Sequence, residues 1–354
     1  WGLATEDTDA AKNSARQNAR RIPLVRSTKT IEKSARPAPG LVGILPLALL
    51  GLISQPAPML RSWLAALAVF GSGLTVLAPT AAAAATAADG FLLVSSLAEL
   101  RQHAGRDGAK IRLKPGTYTL DQASSRRFFE LTGNGSHWDL RGVTLRVDTR
   151  LFRQFGAGRD AQGSLYCVFH LAGDRIIFEG IKTENFGDLP GLQSKNKIFN
   201  ITGRAVVLRQ VDLTTSGSSP WGYGSLFGIS GGDVRKMNGI RVGWPARDVQ
   251  LIGCRVHMRA MGHAIFVQGA TNTVIRDCHV DGLLRPTSEI LAECTGYAFE
   301  RNFLTRGRNY SEGVTLGPAG EILPNEMIAL SEDGIRLYPD SGPGQPTGST
   351  TIEN

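Results

Sequence analysis

The chain has little aromatic content, few cysteines and no apolar run as long as a bilayer requires. Its four cysteines, Cys167, Cys254, Cys278 and Cys294, include no CxxC pair, so they favour neither a disulfide framework nor a structural zinc site. Aromatic residues make up only 7% of the sequence, but 42% is hydrophobic, which is too much for a disordered chain. The 42 glycines in 354 residues disfavour a helical bundle. A globular fold rich in strands and turns remains.

The chain also lacks the basic charge of a typical nucleic-acid-binding protein. Its formal net charge is +8, but residues 1–88 contain 9 Lys+Arg and 4 Asp+Glu and so account for +5 of it. Residues 89–354 therefore carry only +3. A basic track for single strands would also interleave stacking aromatics, which this sequence offers sparingly. We expect no nucleic-acid partner.

The segment 59–88 has the layout of a secretory signal peptide. A basic start at Arg61 precedes an apolar stretch and a run of alanines, and Gly71, Gly73 and Pro79 interrupt it before it reaches the ~20 residues of a membrane span. We interpret residues 1–58 as an upstream segment that is non-native or disordered, with the apolar stretch 41–53 as a competing signal or anchor. The expected protein is secreted or periplasmic, without stable membrane association after cleavage.

A spaced apolar pattern recurs through residues 89–354. Apolar residues stand at a position p, at p+3 and at p+5, with an anchor nine residues before p. Six segments follow this template, written as anchor, p, p+3 and p+5: Leu131, Leu140, Val143, Leu145; Phe169, Phe178, Ile181, Thr183; Phe199, Leu208, Val211, Leu213; Val242, Leu251, Cys254, Val256; Phe266, Ile275, Cys278, Val280; and Ile290, Phe299, Asn302, Leu304.

This pattern predicts an all-β fold, a right-handed parallel β-helix. The period of two between p+3 and p+5 indicates strands, and each unit is too short to bury its apolar face without stacked neighbours. A capping box at Ser96 and Glu99 predicts a short N-terminal helix that caps the solenoid. Residues 351–354 look like the start of another coil, so we expect the β-helix domain 89–354 to be truncated at its C-terminus.

Basic residues precede several of the anchors, and we expect them to form a column along the solenoid. They are Lys195, Lys197, Arg235, Lys236, Arg259, His263 and Arg285. Coils lie roughly 4.8 Å apart, so four of them would present about 14 Å of positive surface. In an exported protein this column predicts an acidic polysaccharide as the partner, with a merely solvated charged face as the alternative.

Cleavage of a polyuronate by β-elimination needs a group that neutralises the carboxylate, a base for the C5 proton and an acid for the leaving oxygen. Lys236 is the candidate base and Tyr223, in a glycine-rich loop, the candidate acid, with His263 as an alternative base. Hydrolysis would need paired carboxylates, and the outward acids form no such column. We predict no cofactor and no metal site. Calcium stays as an alternative, although the sequence shows no cluster of oxygen ligands.

At these residues the chain resembles a known enzyme family. Over roughly residues 90 to 310 the chain resembles the secreted β-helix alginate lyases of polysaccharide lyase family 31. The resemblance is carried by the segments 219–224, 234–239, 261–270 and 282–293, which include MGHAIFVQGA and GLLRPTSEILAE. The resemblance implies endolytic elimination on alginate or a similar polyuronate, with Lys236 and Tyr223 as base and acid. It also implies that the substrate faces Arg259, His263, Gln268, Arg285 and Glu293.

The sequence thus predicts a secreted, monomeric polysaccharide lyase that cleaves an acidic polysaccharide, most directly alginate or polymannuronate. A mannuronan C5-epimerase is the nearest alternative, because it shares proton abstraction beside a neutralised carboxylate. A non-catalytic glycan-binding β-helix, such as an adhesin or tailspike, is the second alternative.

Overall fold

The computed structural model describes residues 87–123, 125–152, 165–187, 195–218, 221–224, 226, 236–300, 317–339 and 348–354. The predicted upstream segment 1–58 and nearly all of the predicted signal peptide 59–88 lie outside these residues. None of the helices in the described ranges is long and apolar enough to cross a membrane.

The described residues form many short strands and three short helices. The strands are β1 (Leu92–Val94), β2 (Lys110–Leu113), β3 (Gly116–Leu120), β4 (Arg127–Leu131), β5 (His137–Asp139), β6 (Val143–Asp148), β7 (Cys167–Leu171), β8 (Ile177–Glu179), β9 (Lys182–Phe186), β10 (Lys195–Ile201), β11 (Val207–Arg209), β12 (Asp212–Thr215), β13 (Lys236–Gly243), β14 (Gln250–Ile252), β15 (Arg255–Met258), β16 (His263–Gln268), β17 (Thr273–Arg276), β18 (His279–Asp281), β19 (Leu284–Pro286), β20 (Met327–Ala329), β21 (Asp333–Tyr338) and β22 (Thr350–Glu353). The α-helices are α1 (Leu97–Gln102), α2 (Thr287–Leu291) and α3 (Tyr297–Glu300), and one turn of 3-10 helix, Thr149–Leu151, follows β6.

The strands stack into three long sheets, as a parallel β-helix requires. Sheet A follows the order β1-β2-β5-β8-β11-β14-β17-β22, sheet B the order β3-β6-β9-β12-β15-β18, and sheet C the order β4-β7-β10-β13-β16-β21. The pairings within these sheets are parallel, and successive strands of the chain go to sheets C, A and B in turn. The predicted all-β parallel β-helix is confirmed.

Inward side chains repeat in register from coil to coil and form one continuous core. In sheet C the rings of Phe129, Phe169 and Phe199 stack, with centroids 4.9 and 4.7 Å apart. In sheet B the predicted p+5 positions fall into a single column: Leu145, Thr183, Leu213, Val256 and Val280. Because each unit covers its neighbour, none of these strands could bury its apolar face alone.

The predicted N-terminal cap also appears. Helix α1 begins after Ser96, whose side chain accepts a hydrogen bond from the Glu99 backbone N–H. The Glu99 carboxylate in turn accepts from the Ser95 backbone N–H. Pro115 lies between β2 and β3, which turn a corner from sheet A to sheet B rather than pairing as a hairpin.

Two parts of the repeat assignment were wrong. Phe266 is paired with Arg241, one residue off the core column, and Ile265 supplies the inward side chain instead. Ile290, the sixth anchor, lies in α2, and Phe299 lies in α3, so neither belongs to a strand. Asn302 and Leu304, the rest of this predicted unit, lie outside the described residues. A short pattern of three apolar positions fits a helix as readily as a strand. Pro286 also favours the start of a helix, because its ring fixes φ.

The chain leaves the solenoid between β18 and β21. Strands β19 and β20 pair antiparallel in this insertion, and α2 and α3 lie between them in the chain. A small apolar cluster of its own holds the insertion together, formed by Tyr223, Leu226, Ile290, Ile322, Ile328 and Leu330. The insertion therefore packs on the loop before β13 through residues that also include a predicted catalytic side chain.

Candidate functional site

A cleft of about 660 Å³ opens on the outward face of sheet C. Its lining residues are Ser125, Arg126, Arg127, Glu130, Tyr166, His170, Asn200, Thr202, Arg241 and Pro245. We call it the Arg241 cleft. Four of these residues form one row across adjacent strands, because Glu130 pairs with His170, His170 with Asn200, and Asn200 with Arg241. The row spans three coil spacings, or about 14 Å.

Neutral groups alone hold the Arg241 guanidinium. Its Nη1 donates to Asn200 Oδ1 at 3.0 Å, and its Nε and Nη2 donate to Gln268 Oε1 at 3.3 and 3.1 Å. In the part of the chain that the structure describes, no carboxylate pairs with Arg241. The described residues that line the cleft include three arginines and one carboxylate, Glu130, which forms an ion pair with Arg127. The formal charge of these lining residues is positive, which suits an anionic ligand.

His170 is neutral at ordinary pH in this cleft. Burial lowers its pKa to about 4, and the nearby Arg127 charge acts in the same direction. Its Nδ1 lies 3.3 Å from Glu130 Oε1 and its Nε2 lies 2.9 Å from Thr202 Oγ1. Because a carboxylate only accepts, Nδ1 carries the proton and Nε2 keeps its lone pair. The neutral imidazole therefore accepts a hydrogen bond from the Thr202 hydroxyl at Nε2 and donates one to the Glu130 carboxylate at Nδ1.

Tyr166 lines the cleft, and Lys197 lies against its ring. Lys197 is only 2% exposed, and its Nζ lies 3.6 Å from the centroid of the Tyr166 ring. Burial raises the pKa of the Tyr166 hydroxyl, so it stays protonated. Burial also raises the pKa of Cys167, the strand neighbour of Lys197, to about 12, so its thiol adds no negative charge. Lys197 was predicted to bind substrate, but its ammonium lies beneath an aromatic ring instead of on the surface.

Two predicted catalytic residues, Lys236 and His263, meet at a carboxylate that the sequence analysis missed. Lys236 Nζ lies 2.8 and 2.6 Å from the two Glu332 oxygens, and both side chains are largely buried. His263 Nε2 lies 3.5 Å from Glu332, and burial lowers the pKa of His263. The Lys236 ammonium is tied up by the ion pair, so His263 is the better placed base of the two.

The same cluster contains the set of side chains in the described ranges that comes closest to a metal site. Ligand atoms of His263, Glu332 and Asp333 lie within 4.8 Å of one another. Lys236 already pairs with Glu332, and Arg336 lies 3.0 Å from Asp333. Calcium prefers six to eight oxygen ligands, and two carboxylates that cations already balance do not fit it.

Tyr223, from the loop before β13, and Arg285, from the insertion, form a separate cluster. The Tyr223 hydroxyl donates to Glu293 Oε2 at 2.8 Å, and Arg285 Nη2 donates to Glu293 Oε1 at 2.6 Å. Arg285 also donates to the Gly222 carbonyl and lies 3.4 Å from Glu289. Burial opposes the Arg285 charge, but the bond with Glu293 outweighs it and raises the pKa of Arg285. Three predicted site residues thus form one hydrogen-bonded group, in which Glu293 accepts from both Tyr223 and Arg285.

The remaining predicted residues are distributed around these groups. Arg259 forms an ion pair with Asp281 at 2.7 Å. The backbone of Lys195 pairs in register with Lys236, and Arg235 lies outside the described residues. Gln268, a predicted substrate-facing residue, accepts hydrogen bonds from the cleft residue Arg241. Four members of the predicted basic column lie beside carboxylates: Lys236, Arg259, His263 and Arg285.

The chain has no match among family models and no match among curated proteins.

Proposed function

We propose that the chain is an exported polysaccharide lyase that cleaves a uronate-containing polysaccharide, such as alginate, by β-elimination. The observation that carries this proposal is the Arg241 guanidinium, held by two neutral amides in an open cleft beside a neutral histidine and a protonated tyrosine. These are the three functions that elimination requires. They lie within one row of sheet C and its immediate neighbours.

In the proposed reaction Arg241 binds the carboxylate of the uronate at the cleavage point. Charge-assisted hydrogen bonds to the carboxylate make the C5 proton more acidic, and they strengthen as negative charge develops. The Thr202 hydroxyl turns away from His170 Nε2, which then takes the C5 proton while Glu130 stabilises the imidazolium through Nδ1. The C5 electron pair forms the C4–C5 double bond, the bond from C4 to the glycosidic oxygen breaks, and the Tyr166 hydroxyl protonates that oxygen.

The predicted set of Lys236, Tyr223 and His263 is the alternative location for the same chemistry. It has a neutral imidazole, but its cations already pair with Glu332 and Glu293. A substrate carboxylate would have to replace an existing partner there, whereas Arg241 would give up only hydrogen bonds to amides. This difference favours the Arg241 cleft, since breaking a partly buried ion pair is costly.

The test is the ultraviolet absorbance of the unsaturated uronate that elimination creates. The purified chain is mixed separately with polymannuronate, polyguluronate, pectate and hyaluronan. We expect the absorbance to rise with at least one polymer and to fall sharply in the variants Arg241→Gln, His170→Gln and Tyr166→Phe. Arg209→Gln is the matched control, because Arg209 is a partly exposed arginine on sheet A.

A flat trace with all four polymers, from a protein with a cooperative melting transition, would contradict the lyase. Proton NMR of the recovered polymer would then show whether the uronate had been epimerised at C5. That outcome would keep the proton abstraction and remove the cleavage step.

A further inference from the structure

Trp244 is a large apolar side chain that the fold leaves in water. Its side chain is 47% exposed, although most apolar residues of the neighbouring coils are buried. Indole combines a broad apolar face with one polar N–H, so an exposed tryptophan is a common contact for ligands that have both apolar and polar surface. Its next residue in the chain, Pro245, lines the Arg241 cleft.

The backbone around Trp244 is fixed. The Trp244 N–H donates to the Gln268 carbonyl at 2.9 Å, and the Ala246 N–H donates to the Gly243 carbonyl at 3.0 Å. These bonds close a tight turn over residues 243–246, and Ala246 at its end is buried in the core. A side chain on such a turn loses little conformational freedom on binding, which favours a preformed contact surface.

The guanidinium of Arg241 lies directly over the residue before Trp244. A Cβ placed on Gly243 would come within 2.2 Å of Arg241 Cζ, so the absence of a side chain there makes room for the guanidinium. Adding a bond of about 1.5 Å and a Cα step of 3.8 Å places Trp244 Cα within about 8 Å of Arg241 Cζ. This distance suits two neighbouring units of one polysaccharide.

We infer that Trp244 is a stacking subsite for the pyranose ring next to the unit whose carboxylate Arg241 binds. The C–H face of a pyranose is apolar and weakly positive, and it packs on the negative face of an indole. The ligand class is thus an acidic polysaccharide at least two units long, recognised by one charge and one ring face. This inference rests on the proposed function for the identity of the ligand.

Trp221 offers a matched control. It is 49% exposed, nearly the same as Trp244, but its Nε1 donates to the Arg259 carbonyl and it lies in the loop that carries Tyr223. If the polysaccharide follows the Tyr223 cluster instead, Trp221 is the tryptophan that it would contact. Removing each tryptophan in turn therefore separates the two possible paths.

The experiment measures the dissociation constant of polymannuronate oligosaccharides by calorimetry, on the full chain and on Trp244→Ala, Trp244→Phe and Trp221→Ala. A His170→Gln background prevents consumption of the ligand. We expect Trp244→Ala to weaken binding about tenfold, equivalent to about 1.4 kcal/mol. Trp244→Phe should recover most of the affinity, and Trp221→Ala should stay within about twofold. Melting temperatures verify that each variant is folded.

The outcomes separate this inference from the proposed function. Binding that depends on Trp244 without any unsaturated product would support the subsite and refute the lyase. Unsaturated product with unchanged affinity in Trp244→Ala would keep the lyase and overturn the subsite. Loss of affinity in Trp221→Ala alone would also overturn it, and a chain that binds no acidic oligosaccharide would refute both.

Discussion

Gly243→Ala is the substitution that tests the role of Arg241 without touching its charge. The added methyl would lie 2.2 Å from Arg241 Cζ and equally close to Nη1. Ordinary contacts between such atoms are about 3.5 Å, so the guanidinium must move by more than 1 Å. That shift breaks its hydrogen bonds to Asn200 and Gln268, which measure 3.0 to 3.3 Å.

The cost of this substitution should fall on binding rather than on folding. Gly243 ends strand β13 and has no left-handed backbone, and the displaced atoms are the end of a flexible side chain. Alanine also loses less chain entropy than glycine on folding, which offsets part of the lost hydrogen bonding. We expect the free energy of unfolding to change by at most about 1 kcal/mol. Loss of a charged hydrogen bond to the ligand costs about 1.5–3 kcal/mol, or roughly 10- to 150-fold in affinity.

The assay compares the affinity for polymannuronate oligosaccharides and the rate of unsaturated product in Gly243→Ala with those in Gly105→Ala. Gly105 is the control because a Cβ there meets only Thr132 Oγ1, at 3.4 Å. Wild-type affinity and rate in a folded Gly243→Ala protein would show that Arg241 does not contact the substrate. A large drop in melting temperature would instead assign Gly243 to folding.

Three further predictions concern the core, the cleft and the buried ion pair. Phe169→Ala should lower the free energy of unfolding by about 3–5 kcal/mol in urea denaturation, because the Phe169 ring lies between two stacked phenylalanines. The control Leu93→Ala, at a position that is 38% exposed, should lower it far less, and equal losses would contradict the role of the stack. Because the pKa of His170 is lowered to about 4, the folded state binds fewer protons than the unfolded state between about pH 4 and 6.5. The free energy of unfolding should therefore be highest above about pH 6.5 and decline towards pH 4, and His170→Gln should flatten this decline. Lys236→Met should lower the free energy of unfolding by about 3–5 kcal/mol, because it leaves the Glu332 charge buried without its partner, and adding Glu332→Gln should restore most of that loss. A Lys236→Met protein with full stability and no turnover would instead support Lys236 as the catalytic base.

The coil pattern could be predicted because every coil must place an apolar side chain in the same column. The p+5 column from Leu145 to Val280 follows directly from the sequence, and Thr183 fits it because its methyl group packs as a valine would. The assignment failed at Phe266, where two adjacent apolar residues left the inward position ambiguous. It also failed at Ile290, because a short apolar pattern does not distinguish a strand from a helix.

The Arg241 cleft was missed for a related reason. Glu130, His170, Asn200 and Arg241 each stand one residue before a core position of sheet C, namely Leu131, Leu171, Ile201 and Val242. With the register known, they form a single polar row between two core columns. The predicted basic residues stand several positions earlier in each coil, where Lys and Arg are more numerous.

The carboxylates that pair with the predicted residues could not be inferred from the sequence. Glu332 is 96 positions from Lys236, and an insertion of irregular length separates β18 from β21. Glu293 reaches Tyr223, 70 positions away, only because that insertion packs on the loop before β13. Spacing within coils carries no information about contacts of this kind.

The most direct test of the central claim compares Arg241→Gln with Arg285→Gln in the assay for unsaturated product. Both variants remove one arginine, the first from the Arg241 cleft and the second from the Tyr223 cluster. If the cleft performs the elimination, Arg241→Gln should lose about 10²–10³-fold in rate and Arg285→Gln should keep most of it. A large loss in Arg285→Gln alone, with both proteins folded, would contradict the account and place the reaction at the residues that the sequence predicted.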